Sequence, residues 1–301
     1  MNWSFHNHPK CEGWWGGELD VCPPLKFEPS PDWFYFGNAD GTFRRDDQYL
    51  EQAEEGRGLG VLSFRGSQED DRGRLYVANE MSSNALFIET DEASYSDDAT
   101  LCGAAVDSQG VPNASMGIAL LDADRNSQFD LFVTNFDHEY MALYANEGEV
   151  YEYRSFQFGL TREVPPSVAF GVVAADFDLD MDEDVFFVCG GVEYAPSIGT
   201  MDQEPILLEN VVAKRFARMI PNPRFHEKEI ARGCATLDWN NDGLPDLVTS
   251  SISRSPTLYR NESLAQGGGE EKSWLRVRLV GTTSPRSGLG AVVSAKVEGD
   301  A

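Results

Sequence analysis

The sequence predicts an all-β chain folded as a β-propeller of about four to five blades, each a sheet of four antiparallel strands. Three observations point there. An acidic bend recurs along the chain at Asp122, Asp176 and Asp238. One kind of strand recurs in step with it, starting at residues 32, 84, 142, 205 and 257. Helical periodicity is weak almost throughout, and repeated units of roughly 40–60 residues with several short strands each are what a propeller blade requires.

Taken in order, Cys11 and Cys22 bracket CEGWWGGELDVC, which suggests a short disulfide-closed loop worth on the order of 3 kcal/mol if oxidised. DWFYFGN from Asp32 reads as a strand, with GTF inside NADGTF as a short neighbour. DQYLEQAEE, Asp47 to Glu55, is the best short helix candidate. GLGVLSFRGSQEDDRGRLYVANE and NALFIE then form the first unit. GIALLDADRNSQFDLFVTN, ALYANEG and VYEYRS form the second. GVVAADFDLDMDEDVFFVCG with PILLEN is the third, and DWNNDGLPDLV with TLYRNE the fourth. In each unit a Gly-led or apolar strand enters the bend and a β-branched or aromatic strand leaves it.

The bends carry the chemistry. In DWNNDGLPDLV, oxygen-bearing side chains stand at Asp238, Asn240, Asp242 and Asp246. Crowded carboxylates repel one another unless a cation sits between them. Ca²⁺ accepts about 6–8 oxygens at about 2.3–2.6 Å, and a turn of this spacing points its first, third and fifth side chains inward. An EF-hand would continue to a Glu and a helix; here Thr249 and the β-forming LVTSS follow, so the bend joins two strands. The same pattern gives Asp122, Asp124, Asn126 and Asp130, and again Asp176, Asp178, Asp180 and Asp184. Gly243 occupies the turn position of the last copy, where Ser127 and Met181 stand in the others. A metal-free Asx turn is the alternative, because Asp, Asn and Gly favour turns by themselves. In the first unit the corresponding positions are Gly66, Gln68, Asp70 and Arg74, and a cationic Arg74 predicts a bend without metal.

The formal charge of −26 in 301 residues excludes nucleic acid and anionic lipid as natural partners. No apolar run approaches the length of a membrane span, and no signal peptide is visible. Cys102, Cys189 and Cys234 lie in or near apolar strands and read as buried thiols. His6, His8 and Cys11 could hold a transition metal, though a loose terminal loop explains them as well; His138 and His226 carry no ligand pattern. No GxSxG, HExxH or phosphate-cradling glycine loop is present, and the paired carboxylates all belong to the repeat. Asn113 and Asn261 head glycosylation sequons. The aromatic start, with Trp3, Trp14, Trp15, Trp33, Phe34 and Tyr35, is either a binding surface or blade packing.

The three bends, the ALYANEG and TLYRNE strands and NADGTF resemble FG-GAP (VCBS) repeats, the calcium-loop blades of integrin α-chain propellers. WLRVRLVGTTSPRSGLGAVVSAKV, Trp274 to Val297, resembles the opening of the ASPIC/UnbV module, whose pattern is close to WLRVRLVGTxSNRxGIGARV; Pro285 and Val292 replace its Asn and Arg. CEGWWGGELDVC resembles the cysteine-flanked insertion of such proteins. The resemblance implies propeller repeats over 1–263 and a partial ASPIC/UnbV module over 270–301. It also implies Ca²⁺ as a structural cofactor and a non-enzymatic role in adhesion or recognition outside the cell or in the periplasm. The ligand would be a protein or a glycan. About four full blades and a trailing half blade, where this family closes about seven, would leave strand edges for a second copy or for further blades of a longer chain. The alternative is a propeller enzyme, a lyase or oxidoreductase acting on a polysaccharide or small molecule.

Overall fold

The computed structural model describes residues 11–12, 19–20, 22–46, 48–51, 54–66, 70–91, 94–192, 200–211, 215–221, 223–263, 275–282, 288, 291 and 293. Two ribbons come first: β1 (Cys11–Glu12) with β2 (Leu19–Asp20), and β3 (Phe34–Gly37) with β4 (Phe43–Asp46). Four blades follow. Strands β5 (Leu50–Glu51), β6 (Gly58–Arg65), β7 (Gly73–Asn79), β8 (Ala85–Glu89) and β9 (Tyr95–Asp97) make the first, in spatial order β5-β9-β8-β7-β6. The second is β10 (Ile118–Leu121), β11 (Asp130–Val133), β12 (Ala142–Asn146) and β13 (Tyr151–Tyr153), paired in chain order. The third repeats that order with β14 (Ala169–Ala175), β15 (Asp184–Cys189), β16 (Ile206–Asn210) and β17 (Phe216–Met219). The fourth has β18 (Ala231–Leu237), β19 (Asp246–Ser251) and β20 (Thr257–Tyr259). Within the blades every pair is antiparallel except β5 with β9. The helices α1 (Ala99–Cys102) and α2 (Leu160–Glu163) are single turns. The chain is therefore the all-β, four-bladed propeller that the repeats predict.

Glycine sets how closely successive blades approach. The first strands neighbour one another in the sequence β6, β10, β14, β18. A Cβ on Gly60 would lie 2.5 Å from the Met116 carbonyl oxygen, and one on Gly117 only 2.1 Å from that of Phe170. Gly171 likewise abuts Gly233, 2.8 Å from its Cα. No larger residue fits between these backbones.

Between blades the cores are apolar. Leu121, Phe132 and Leu143 of the second blade pack on Val185, Phe187 and Leu208 of the third. Tyr76, Leu86 and Ile88 of the first meet Leu131, Val133 and Tyr144 of the second. Strands β11 and β15 are buried along their whole length, as strands sandwiched on both faces must be.

The described residues of the helix expected over 47–55 are not helical: Leu50–Glu51 is strand β5, parallel to β9. A short amphipathic stretch is marginal as a helix in isolation. Here Tyr49 is fixed beside Phe34, Phe36 and Tyr95, with ring centroids 4.2, 4.7 and 5.5 Å away, and that packing prevails over local preference. Phe34 and Phe36 thus serve packing, while Trp33 and Tyr35 on the alternate face are exposed. Cys22 is disulfide-bonded, and Cys102, Cys189 and Cys234 are free thiols. Burial pushes the thiols of Cys189 and Cys234 up to about 12, which suits structural cysteines. The candidate ligands His6 and His8 and the aromatics Trp3, Trp14 and Trp15 lie outside the described residues.

Candidate metal centres

All three acidic bends share one backbone. Left-handed φ falls at the fourth and sixth positions of each: Arg125 and Ser127 (58° and 65°), Leu179 and Met181 (58° and 72°), Asn241 and Gly243 (59° and 88°). Only Gly243 adopts this conformation freely; the others cost on the order of 1 kcal/mol apiece. The acid at the first position compensates by accepting backbone N–H groups. Asp122 takes those of Asn126 and Ser127, both at 2.9 Å. Asp176 takes those of Asp180 and Met181 at 3.0 and 2.9 Å, and Asp238 those of Asp242 and Gly243 at 3.1 and 3.3 Å.

The ninth position is a clamp. Asp130, Asp184 and Asp246 open the strand after the bend, opposite Leu121, Ala175 and Leu237. Each is buried, and each accepts two backbone N–H groups. One comes from the second residue of the bend: Ala123 at 2.8 Å, Phe177 at 3.1 Å, Trp239 at 2.8 Å. The other comes from the asparagine ending or following the third strand: Asn146 at 2.7 Å, Asn210 at 2.9 Å, Asn261 at 2.7 Å. Burial pushes the carboxyls of Asp130 and Asp184 up to about 7, despite those hydrogen bonds.

Among the described residues, carboxylates converge in two bends. Asp122, Asp124 and Asp130 bring ligand oxygens within 4.8 Å of one another, as do Asp176, Asp178 and Asp180. Asp124 Oδ2 meets Arg154 at 3.3 Å, while its Oδ1 is buried and accepts no hydrogen bond. A buried acceptor facing two other carboxylates is what a bound cation would satisfy, so these residues fit a hard divalent ion. In the third bend Asn240 Nδ2 donates to Asp242 Oδ2 at 2.6 Å, and Arg276 contacts Asp238.

The first-blade bend is longer by one residue than its sequence alignment implies. Phe64 pairs with Arg74, ten residues on, where Leu121 pairs with Asp130 only nine residues on, and the ladder continues to Arg65 with Gly73. Arg74 does occupy the ninth-position place; it is buried, 2.9 Å from Asp70 Oδ2 and 3.1 Å from the Tyr151 hydroxyl of the next blade.

Sequence reasoning missed what joins bend to bend. Glu183 accepts the Asp122 N–H at 2.7 Å, and Arg125 pairs with Asp182. Burial raises the Glu183 carboxyl, helped by the nearby Asp122 and Asp176 charges. The strand-end asparagines also reach across: Asn210 Nδ2 donates to Ala123 O at 3.0 Å and Asn261 Nδ2 to Phe177 O at 2.7 Å. Their signal was legible as the Asn shared by ALYANEG, PILLEN and TLYRNE. These contacts also weigh against glycosylation, since Asn113 is buried and the Asn261 amide nitrogen is engaged. His226 pairs with Glu204 at 2.9 Å and His138 lies beside Asp137; neither joins a metal cluster among the described residues. No described helix is long and apolar enough to cross a membrane.

No protein-family model matches the chain. It is 27% identical over 244 residues to cartilage acidic protein 1 of Xenopus tropicalis, covering 78% of this chain and 34% of that protein. The mouse and human proteins of the same name are 26% and 25% identical over 241 residues. The chain spans about a third of the length of these curated relatives. Among solved structures, the major Malassezia sympodialis allergen Mala s 1 superposes with a TM-score of 0.36 at 10% identity, over 68% of this chain and 56% of that one.

Proposed function

We propose that this chain is a calcium-stabilised propeller of the FG-GAP (VCBS) type, serving recognition or adhesion outside the cell or in the periplasm rather than catalysis. The observation that carries it is the convergence of Asp122, Asp124 and Asp130, and of Asp176, Asp178 and Asp180, with a buried Asp124 oxygen left without a donor. The bends at Asp122, Asp176 and Asp238 would hold Ca²⁺ through their first, third and fifth side chains, the ninth acid serving chiefly as the clamp. An ion there would neutralise the charge that burial makes costly and fasten each blade to the next. Its role would be structural, because no carboxylate in the bends is left over as a base. The relatives named cartilage acidic protein support a place in an extracellular setting and an unidentified protein or glycan partner. An ASPIC/UnbV-like segment over 270–301 belongs to the same reading.

Thermal melting in calcium and in chelator tests it. An ion binding only the folded state at a hundredfold excess over its Kd adds about 2.7 kcal/mol per site, or about 4 °C at this size. Equal melting temperatures in the two buffers would remove the calcium assignment.

A further inference from the structure

The third bend is neutralised differently from the first two acidic ones. Arg276 contacts Asp238 Oδ2 and donates to Asn241 Oδ1 at 2.8 Å, spanning the first and fourth positions of the bend. Asn240 spends both ends of its amide on Asp242, its Nδ2 donating to the Asp242 carboxylate at 2.6 Å and its Oδ1 accepting the Asp242 backbone N–H at 3.2 Å. The bend at Asp122 also meets a guanidinium, Arg154 on its third-position Asp124, but it still gathers three carboxylates; in the third bend Arg276 lies on the first-position acid itself.

Arg276 is also unlike the buried Arg74. Its side chain is 54% exposed against 5% for Arg74, so water can replace its contacts at little cost. It belongs to the segment 275–282, which lies outside any strand and exposes Leu275 and Val280 at 75% and 64%. A divalent cation seated among Asp238, Asn240 and Asp242 would bring like charge against that guanidinium and claim the same Asp238 carboxylate.

We propose that Arg276 is an exchangeable internal cation: it docks segment 275–282 on the third bend while the bend holds no ion, and a divalent ion releases the segment. The proposal rests on the calcium reading above and adds a linkage to it. By reciprocity, whatever holds the segment elsewhere tightens ion binding at this bend.

Hydrogen exchange read by mass spectrometry on the whole chain, titrated with calcium alone, follows bend 238–246 and segment 275–282 separately. In the wild type, calcium slows exchange in the bend and quickens it in the segment over one concentration range. In Arg276→Gln the segment exchanges at the ion-bound rate without calcium, and the bend binds about fivefold more tightly, the loss of one exposed ion pair. Arg276→Lys, which keeps the charge, lies close to wild type. Unchanged bend affinity in Arg276→Gln, or a segment indifferent to calcium, overturns the proposal while the other bends still respond. If no bend responds in either protein, the calcium reading falls and takes this linkage with it.

Discussion

Opposite Phe64 in the first blade stands Arg74; the equivalent places in the next three blades, opposite Leu121, Ala175 and Leu237, hold Asp130, Asp184 and Asp246. The fold needs a buried polar residue at this corner in every blade, yet it tolerates either sign. Where the residue is Asp, two backbone N–H groups satisfy it, and in the second and third blades further acids gather beside it. Where it is Arg, one acid, Asp70, comes to it, and its Nη1 donates to the Tyr151 hydroxyl in the neighbouring blade. The first blade therefore carries its cation covalently. On the calcium proposal, the others would take one from solution.

The largest effect that separates the two solutions is removal of the clamp. Asp184→Ala strands the N–H groups of Phe177 and Asn210 in a buried corner, and two unsatisfied donors cost about 3–5 kcal/mol in total. Chemical denaturation should show that loss with or without calcium. A loss visible only in calcium would make Asp184 a ligand first and a clamp second.

A smaller effect distinguishes the built-in cation from the borrowed one. Arg74→Ala leaves Asp70 and the Tyr151 hydroxyl without their buried partner, at about 2 kcal/mol, discounted because Asp70 is partly exposed. The melting temperature should fall equally in calcium and in chelator. Asp122→Asn should behave oppositely, lowering the melting point more in calcium than in chelator, where the loss of one backbone hydrogen bond is offset by relief of like-charge repulsion from Asp124 and Asp130. If Arg74→Ala turns the first blade calcium-sensitive, the guanidinium was excluding an ion rather than standing in for one.

Much of this comparison is legible in the sequence because it repeats. Three copies of one spacing disclose the bends and the strands around them, and Arg74 stands out as the exception. What a single spacing does not disclose is length and reach. The extra residue in the first bend appears only from the pairing of Phe64 with Arg74. The links from Asn210 to Ala123 and from Arg125 to Asp182 join residues 87 and 57 positions apart and depend on how blades stack. The helix expected near Leu50 failed for the same reason, since Tyr49 and its aromatic neighbours come from three separate segments. Local pattern sets each blade, and the junctions between blades set the site.

The smallest effect is one of pH, and it has opposite signs in the two kinds of bend. Hydrogen bonding from Arg72, with Arg74 beside it, holds the Asp70 carboxyl far below the usual carboxylate range. A depressed acid contributes stability above its unfolded pKa and loses it as pH falls, so the first blade weakens only in strong acid. Asp130 and Asp184, raised by burial to about 7, act the other way. Their protonated forms favour the fold fully below about 4, and that contribution is lost as pH rises through about 7. In chelator, then, the melting temperature should decline from about pH 4 to pH 7, an interval in which Asp70 is ionised throughout. Calcium should reverse the slope, because ion binding requires the ionised acids and strengthens as protons leave. Melting curves at several pH values with and without calcium read both slopes. Parallel curves would mean that Asp130 and Asp184 titrate without reference to any ion, and the corner would then distinguish Arg from Asp by hydrogen bonding alone.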